Sequence, residues 1–393
     1  MDPSTTIAAT CPTCTDHPLE PFFRLASVPV FCHVFTGSAI ESTRVPRADI
    51  ELGLCTGCGA IVNFAFDPSL VANAHEFENS GHFSQKFRTY ARGLTQMLAR
   101  NHALDGKDVV EIGCGKGDFL AQLASRTTAR CVGFDRRYGD EQDFRDLPNL
   151  CFVKHEFSPH DYPECRADLV ILRHVLEHVH EPHAFLSDVR RILDDGANFF
   201  VEVPNTLFQL REHRIWDIIY ERCAYWSAPS LRRALRRVGL EPTNIHASFG
   251  GRFLCAEGHA GPARDVADHD PALAEVATLA RGLARSFERS IREWNDRIAR
   301  RLQDGERIAV WGAGSKGVSF LNLVPNCAGI ATVVDLNERK HGKFVPGTSH
   351  RIVSPEELGD LAIDTILVMN SHYTDEITAQ IRDLALHCEL VEV

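Results

Sequence analysis

Val109-Val110-Glu111-Ile112-Gly113-Cys114-Gly115-Lys116-Gly117-Asp118 carries an apolar strand into three alternating glycines and out into a helix. Glycine at those positions lets the backbone turn tightly and approach a ligand at the carboxyl end of a first strand, where α/β sheets bind small molecules. Glu111 lies inside the motif, and Asp135 closes the next apolar stretch, 131–134, 24 residues further on. A carboxylate there can accept hydrogen bonds from both ribose hydroxyls. The dinucleotide fingerprint is G-x-G-x-x-G, which this loop does not have.

The pattern alternates outward from that turn. Apolar residues at helical spacing cover 84–103, strands are expected at 109–112, 131–134, 169–172 and 198–203, and helices from 118, near 184–193 and from 229. Strands alternating with helices imply a mainly parallel sheet covered on both faces. Residues 260–270 (AGPARDVADHD) read as a linker and 271–303 as a long charged helix. A fresh α/β unit starts at Arg307, with strands at 308–311, 332–334 and 365–369. Its turn, Gly312-Ala313-Gly314-Ser315-Lys316-Gly317, is a G-x-G-x-x-G between strand and helix, followed by Asp335. The helix start with Ser315 and Lys316 suits a diphosphate, of a substrate or of NAD. Asn370-Ser371-His372-Tyr373, just past a strand, is expected near the same cleft. The resulting division is 1–75, 76–260, 261–303 and 304–393.

At 393 residues the chain exceeds one ordinary core, and 44% hydrophobic with 24% charged residues is globular composition. No apolar run is long enough for a bilayer, and MDPSTTIAATCPTC lacks the basic start and apolar core of a signal peptide. A cytoplasmic location is expected. The net charge of −11 comes without a basic stripe, which argues against nucleic acid and for a small-molecule substrate, bound by a monomer or homodimer.

Thirteen cysteines spread from Cys11 to Cys388 do not make a disulfide framework. Four form two knuckles, Cys11-Pro-Thr-Cys14 and Cys55-Thr-Gly-Cys58. Two C-x-x-C turns present four thiolates to one Zn²⁺ and leave no open position, which makes the role structural. The surrounding segment, with Pro12, Pro18, Pro21, Pro29 and Pro46, reads as irregular and without a core of its own, so the metal would staple it. Between the knuckles, Cys32-His33 offers an alternative ligand, but a buried cysteine beside an exposed histidine is the expected account.

The order E-x-G-x-G-x-G followed by Asp resembles the donor motif of class I S-adenosylmethionine methyltransferases. That resemblance implies a doubly wound α/β sheet in which Asp135 holds the ribose and Glu111 orients Gly113, Gly115 and Gly117 or the methionine end. It also puts His155, Glu156 and Phe157 at the adenine edge and Arg173 at the strand exit facing the donor. Arg173-His174-Val175-Leu176-Glu177-His178 follows that strand. Four residues apart, His174 and His178 would share a helix face, but no third ligand completes a metal set. A histidine here is expected to act as a base or to position a substrate hydroxyl.

Taken together, the four cysteines, the donor motif, His178, V-E-V-P at 201–204 and I-Y-E-R-C-A-Y-W-S at 219–227 resemble the three-part sugar C-methyltransferases. Those join a zinc domain, a class I methyltransferase domain and a C-terminal Rossmann-like domain, and act on nucleotide-linked 4-keto deoxysugars. The resemblance implies catalytic roles around His178, Tyr220, Glu221 and position 222, and substrate contacts from Glu202, Asn205, Lys316 and Asn370. The family has its proton-abstracting histidine directly after the glutamate, where this chain has Arg222. Arginine stays protonated and cannot take a proton. Either His178 or Tyr220 then does the proton chemistry, or the acceptor atom is oxygen or nitrogen and Arg222 clamps a carboxylate or phosphate. The remaining alternatives are an NAD-dependent oxidoreductase built on the second glycine turn and a non-catalytic binding protein. Trp216, Tyr225 and Trp226 read equally as pocket wall and as core.

Overall fold

Asp108–Ile112 is the middle one of the five parallel strands of a seven-stranded sheet in the computed structural model, which describes residues 9–72, 77–78, 80–139, 144, 146–264 and 271–393. Arg130–Phe134 and Leu150–Val153 lie to one side of it, Ala167–Arg173 and Leu193–Pro204 to the other, all parallel. The chain therefore changes direction across the sheet beside the first strand, which opens a crevice above the glycine turn. An antiparallel hairpin, Phe253–Ala260 with Leu240–Ser248, completes the Leu193–Pro204 side. Helix Gln85–His102 packs Ala91, Leu94 and Leu98 onto Val109, Leu120 and Leu123 on one face. Pro182–Arg191 and Ala228–Arg237 cover the other face with Leu186, Val189, Leu231 and Leu235.

The N-terminal segment is not irregular. Leu19–Pro29, Arg47–Cys55 and Ile61–Asn63 form an antiparallel sheet whose fourth strand, Ala224–Tyr225, arrives from far downstream. Its prolines sit at strand ends and irregularities of register, where they break no ladder. Its apolar face also has a core, shared with the rest of the chain. Phe23 meets Phe287 of the long helix edge-on at 5.1 Å, and Ile50, Leu52 and Leu54 belong to one cluster with Val276, Leu283, Ile308 and Val310.

Helix Pro271–Gln303 runs for 33 residues, as its uninterrupted pattern implies, while 265–270 of the expected linker lie outside the described residues, as do 1–8 and the expected boundary at 75/76. It leads into a five-stranded parallel sheet ordered Ile352–Val353, Thr332–Val334, Ile308–Trp311, Thr365–Val368, Glu389–Glu392. Trp216 and Trp294 both pack edge-on against Phe320 of this unit, at 4.9 and 5.6 Å. Trp216, Tyr225 and Trp226 are all buried core residues. Among the described residues no helix is long and apolar enough to cross a membrane.

Candidate active site

The donor turn shows why it needs its glycines. At Gly113, with φ of +75°, a Cβ would lie 2.2 Å from Val175 Cγ2. Gly115, with φ of +59°, adopts a left-handed conformation that side chains rarely take, and its backbone is exposed. The Gly115 N–H donates to Asp135 Oδ2 at 2.9 Å, and Asp135 Oδ1 accepts from the Arg137 N–H at 2.8 Å. The second-strand carboxylate thus braces the loop.

Beneath it, Glu111 is 2% exposed and its Oε2 has no protein partner. Burial pushes its carboxyl up to about 8, with the Arg173 charge opposing. A buried carboxylate oxygen without a partner under a glycine turn fits a cationic ligand group. The Arg173 guanidinium sits over the Phe119 ring, 4.0 Å from its centre, and forks onto Glu202 Oε1 with bonds of 3.1 and 2.8 Å. His155 is exposed and donates Nδ1 to the Glu156 carbonyl at 2.7 Å. Glu156 pairs with Arg136 at 3.0 Å, and Phe157 packs edge-on to Phe134 at 5.3 Å.

A cleft of about 370 Å³ separates the seven-stranded sheet from the C-terminal one. His174, Glu177, His178, Asp217 and Arg222 line it on one side, and Gly312, Gly314, Ser315, Lys316 and Asn370 on the other. The two histidines do not share a helix face. His174 takes a left-handed conformation, φ +54°, directly after the strand, and only Leu176–His178 form a single 3-10 turn. His174 spans two carboxylates, Nδ1 to Glu177 Oε1 at 3.4 Å and Nε2 to Glu202 Oε1 at 3.1 Å. Burial opposes its charge, yet these two partners raise it to about 9. His178 instead donates Nδ1 to the Glu221 carbonyl at 2.7 Å, and burial lowers its pKa.

The 219–227 motif splits between two compartments. Tyr220 is fully buried, stacks on Phe66 and accepts the Asp67 N–H at 2.8 Å, so its hydroxyl points into the N-terminal unit and away from the cleft. The Glu221 carboxylate does the same, with Oε2 accepting from Cys32 N at 2.9 Å and from His33 Nδ1 at 3.2 Å. His33 is therefore buried, contrary to the exposed position expected for it. Arg222 does face the cleft. It donates Nη1 to the Asp217 carbonyl at 2.9 Å and makes no ion pair among the described residues.

Two expected substrate contacts are turned inward. Glu202 is 0% exposed and is consumed by Arg173, His174 and the Tyr90 hydroxyl. The Asn205 side chain caps helix Thr206–Arg211 and donates to the Gly251 carbonyl at 2.9 Å. Lys316 and Asn370 stay on the cleft wall, Lys316 paired with Asp217 Oδ2 at 3.2 Å and Asn370 Oδ1 accepting the His372 N–H at 3.3 Å. Two further cations were invisible in the sequence. Arg214 and Arg252 line the cleft and both donate to Ser371 Oγ, at 3.3 and 3.4 Å. Their Nε atoms are buried and unpartnered, and no spacing rule links 214, 252 and 371. In the second glycine turn, Asp335 Oδ2 accepts from Ala313 N at 2.8 Å and pairs with Lys340 at 3.1 Å.

Cys11, Cys14, Cys55 and Cys58 bring their sulfurs within 4.8 Å of one another, with Cys11–Cys58 at 3.7 Å and Cys14–Cys55 at 3.6 Å. A tetrahedron of Zn–S bonds near 2.3 Å has edges of about 3.8 Å, so this donor set fits zinc.

Residues 82–245 match the model of a methyltransferase domain, and residues 268–387 match that of a C-methyltransferase C-terminal domain. The chain is 31% identical to the C-methyltransferase NovU of Streptomyces niveus over 296 residues, 70% of this chain and 68% of that protein. It is 25% identical to the ubiquinone biosynthesis O-methyltransferase of Proteus mirabilis over 154 residues, 37% of this chain and 59% of that one. Among solved structures, magnesium protoporphyrin IX methyltransferase from Synechocystis PCC 6803 aligns over 45% of this chain and 84% of its own, at 19% identity and a TM-score of 0.37.

Proposed function

The chain belongs to the S-adenosylmethionine-dependent C-methyltransferase family, and from that premise we propose that its acceptor is a nucleotide-linked keto deoxysugar of natural-product or polysaccharide biosynthesis, methylated on carbon. The donor supplies an electrophilic methyl group. The observation that carries the reading is the gathering of cations on the cleft wall. Imidazoles and Arg222 line it together with Arg214, Arg252 and Lys316 next to a glycine turn that starts a helix, and Asp217 takes Arg222 on its carbonyl and Lys316 on its carboxylate. Paired guanidiniums and a helix N-terminus suit a diphosphate, which would hold the acceptor by a group remote from the reacting carbon.

A second reading keeps the donor and moves the methyl group to oxygen or nitrogen, favoured by Arg222 at the position of the family's base. An NAD-dependent reaction is disfavoured by Lys340, which already pairs with the Asp335 carboxylate that would take ribose hydroxyls. The four cysteines are proposed to hold a structural Zn²⁺, which would tie strand ends that packing alone leaves open.

The test is incubation with S-adenosylmethionine carrying a ¹³C methyl group and a panel of nucleoside-diphosphate keto and hydroxy sugars, read by NMR. A new carbon-bound methyl supports the reading. A methyl on oxygen or nitrogen replaces it with the second.

A further inference from the structure

Arg222 stands where the resemblance places the family's base, so methylation on carbon needs some other group to take the proton. The candidates are His33, which lines the cleft with Nδ1 on the Glu221 carboxylate but is only 4% exposed, and His174, Tyr220 and His178. His174 has both ring nitrogens on carboxylates, and Tyr220 points its hydroxyl at Asp67 outside the cleft. His178 differs. With Nδ1–H given to the Glu221 carbonyl, its tautomer is set and the Nε2 lone pair is left for the cleft that the ring lines.

The turn that carries His178 is pinned. Cys223 N donates to the Glu177 carbonyl at 2.8 Å, Cys223 Sγ donates to the His178 carbonyl at 3.4 Å, and Glu221 is anchored through Cys32 and His33. Burial, helped by the Arg222 charge and opposed by Glu177 and Glu221, keeps the imidazole neutral. Arg222 shares this wall, spends one N–H on the Asp217 carbonyl and has the rest of its fork free of any ion pair among the described residues.

Resting on the keto-sugar reading above, we propose that His178 Nε2 removes the proton alpha to the acceptor ketone and that Arg222 hydrogen-bonds the enolate oxygen that forms. The C–H bond breaks as Nε2–H forms, its electron pair becomes the enolate double bond, and the carbonyl pair moves onto the oxygen held by Arg222. The alpha carbon then bonds to the donor's methyl group, the S–CH₃ pair stays on sulfur, the ketone re-forms, and His178 returns its proton to water. The two jobs sit on two residues because a guanidinium cannot take a proton but can stabilise an oxyanion.

The partial reaction tests this without methyl transfer. The full-length protein is held in D₂O with S-adenosylhomocysteine and a thymidine-diphosphate-linked 4-keto-6-deoxyhexose, and loss of the alpha proton is followed by ¹H NMR. Wild type is expected to exchange that proton. His178→Gln is expected to slow exchange by about a hundredfold or more with S-adenosylhomocysteine affinity unchanged, and added imidazole should restore part of the rate to His178→Gly. Arg222→Gln and Arg222→His are expected to slow it roughly tenfold to a thousandfold, and Arg222→Lys less. Exchange by His178→Gln close to the wild-type rate, or faster exchange by Arg222→His than by wild type, overturns the assignment while leaving the keto-sugar reading intact. Wild type that neither exchanges nor methylates the sugar overturns both.

Discussion

Arg214, just after helix Thr206–Arg211, and Arg252, in the turn of the seven-stranded sheet's last hairpin, direct their guanidiniums at one hydroxyl, that of Ser371. Two like charges brought together in a half-buried wall are unfavourable until an anion joins them. Burial first, and then the Arg214 charge, pull Arg252 down to about 10. Arg252→Ala and Arg214→Ala should each raise KM for a nucleotide-linked acceptor by about ten- to a hundredfold, with a smaller change in kcat. Steady-state kinetics at two ionic strengths checks this; a fall in kcat at constant KM would mean the pair does something other than bind.

Tyr220→Phe is expected to leave methyl transfer at wild-type rates. The hydroxyl it removes accepts a backbone N–H within the N-terminal unit, so the loss is one hydrogen bond, about 1 kcal/mol of stability. A thermal melt beside a turnover assay separates the two effects, and a collapse of turnover without a change in melting would return Tyr220 to the chemistry.

Purified protein is expected to contain one zinc per chain by elemental analysis. Cys55→Ser with Cys58→Ser, or a strong chelator, should remove it and lower the melting temperature by several degrees or more, since the knuckles close the sheet that packs on helix Pro271–Gln303. An unchanged melt after metal loss would show that packing alone holds the segment.

Glu111 makes stability depend on pH. Its carboxyl titrates near 8 in the folded protein and near 4.5 when exposed, so the folded state keeps a proton that the unfolded state has lost. Its contribution is full below about pH 4.5 and disappears as pH rises through about 8. Glu111→Gln, which cannot ionise, should melt closer to wild type at pH 5 and a few degrees above it at pH 8.5, in the absence of donor. Parallel pH series of melts decide it.

Much of this molecule was legible as local pattern. The glycine turns, the alternation of strands and helices, the paired knuckles and the unbroken 271–303 helix each show within a short window. The cleft was legible only in part: Lys316 and the 370–373 segment were expected there, whereas Arg214 and Arg252 join them only after two sheets have closed. Tyr220, Glu221 and Arg222 read as one catalytic run through the family resemblance, but Tyr220 and Glu221 lie in a turn that sends neighbouring side chains apart, and of the three only Arg222 reaches the cleft. Leu240–Ser248 (LEPTNIHAS) escaped notice because apolar and polar residues do not alternate strictly along it and its register shifts between Pro242 and Asn244.

The pairing of Ile61 and Val62 with Tyr225 and Ala224 imposes an order of assembly. A ribosome that has delivered both cysteine knuckles has made only two of the four strands of their sheet; the third, Ile61–Asn63, follows at once, and the last waits for most of the methyl-transfer domain to emerge. Anyone exchanging front ends between relatives must therefore move the 224–225 strand with the graft, since an enzyme's interchangeable parts here are not contiguous stretches of its gene.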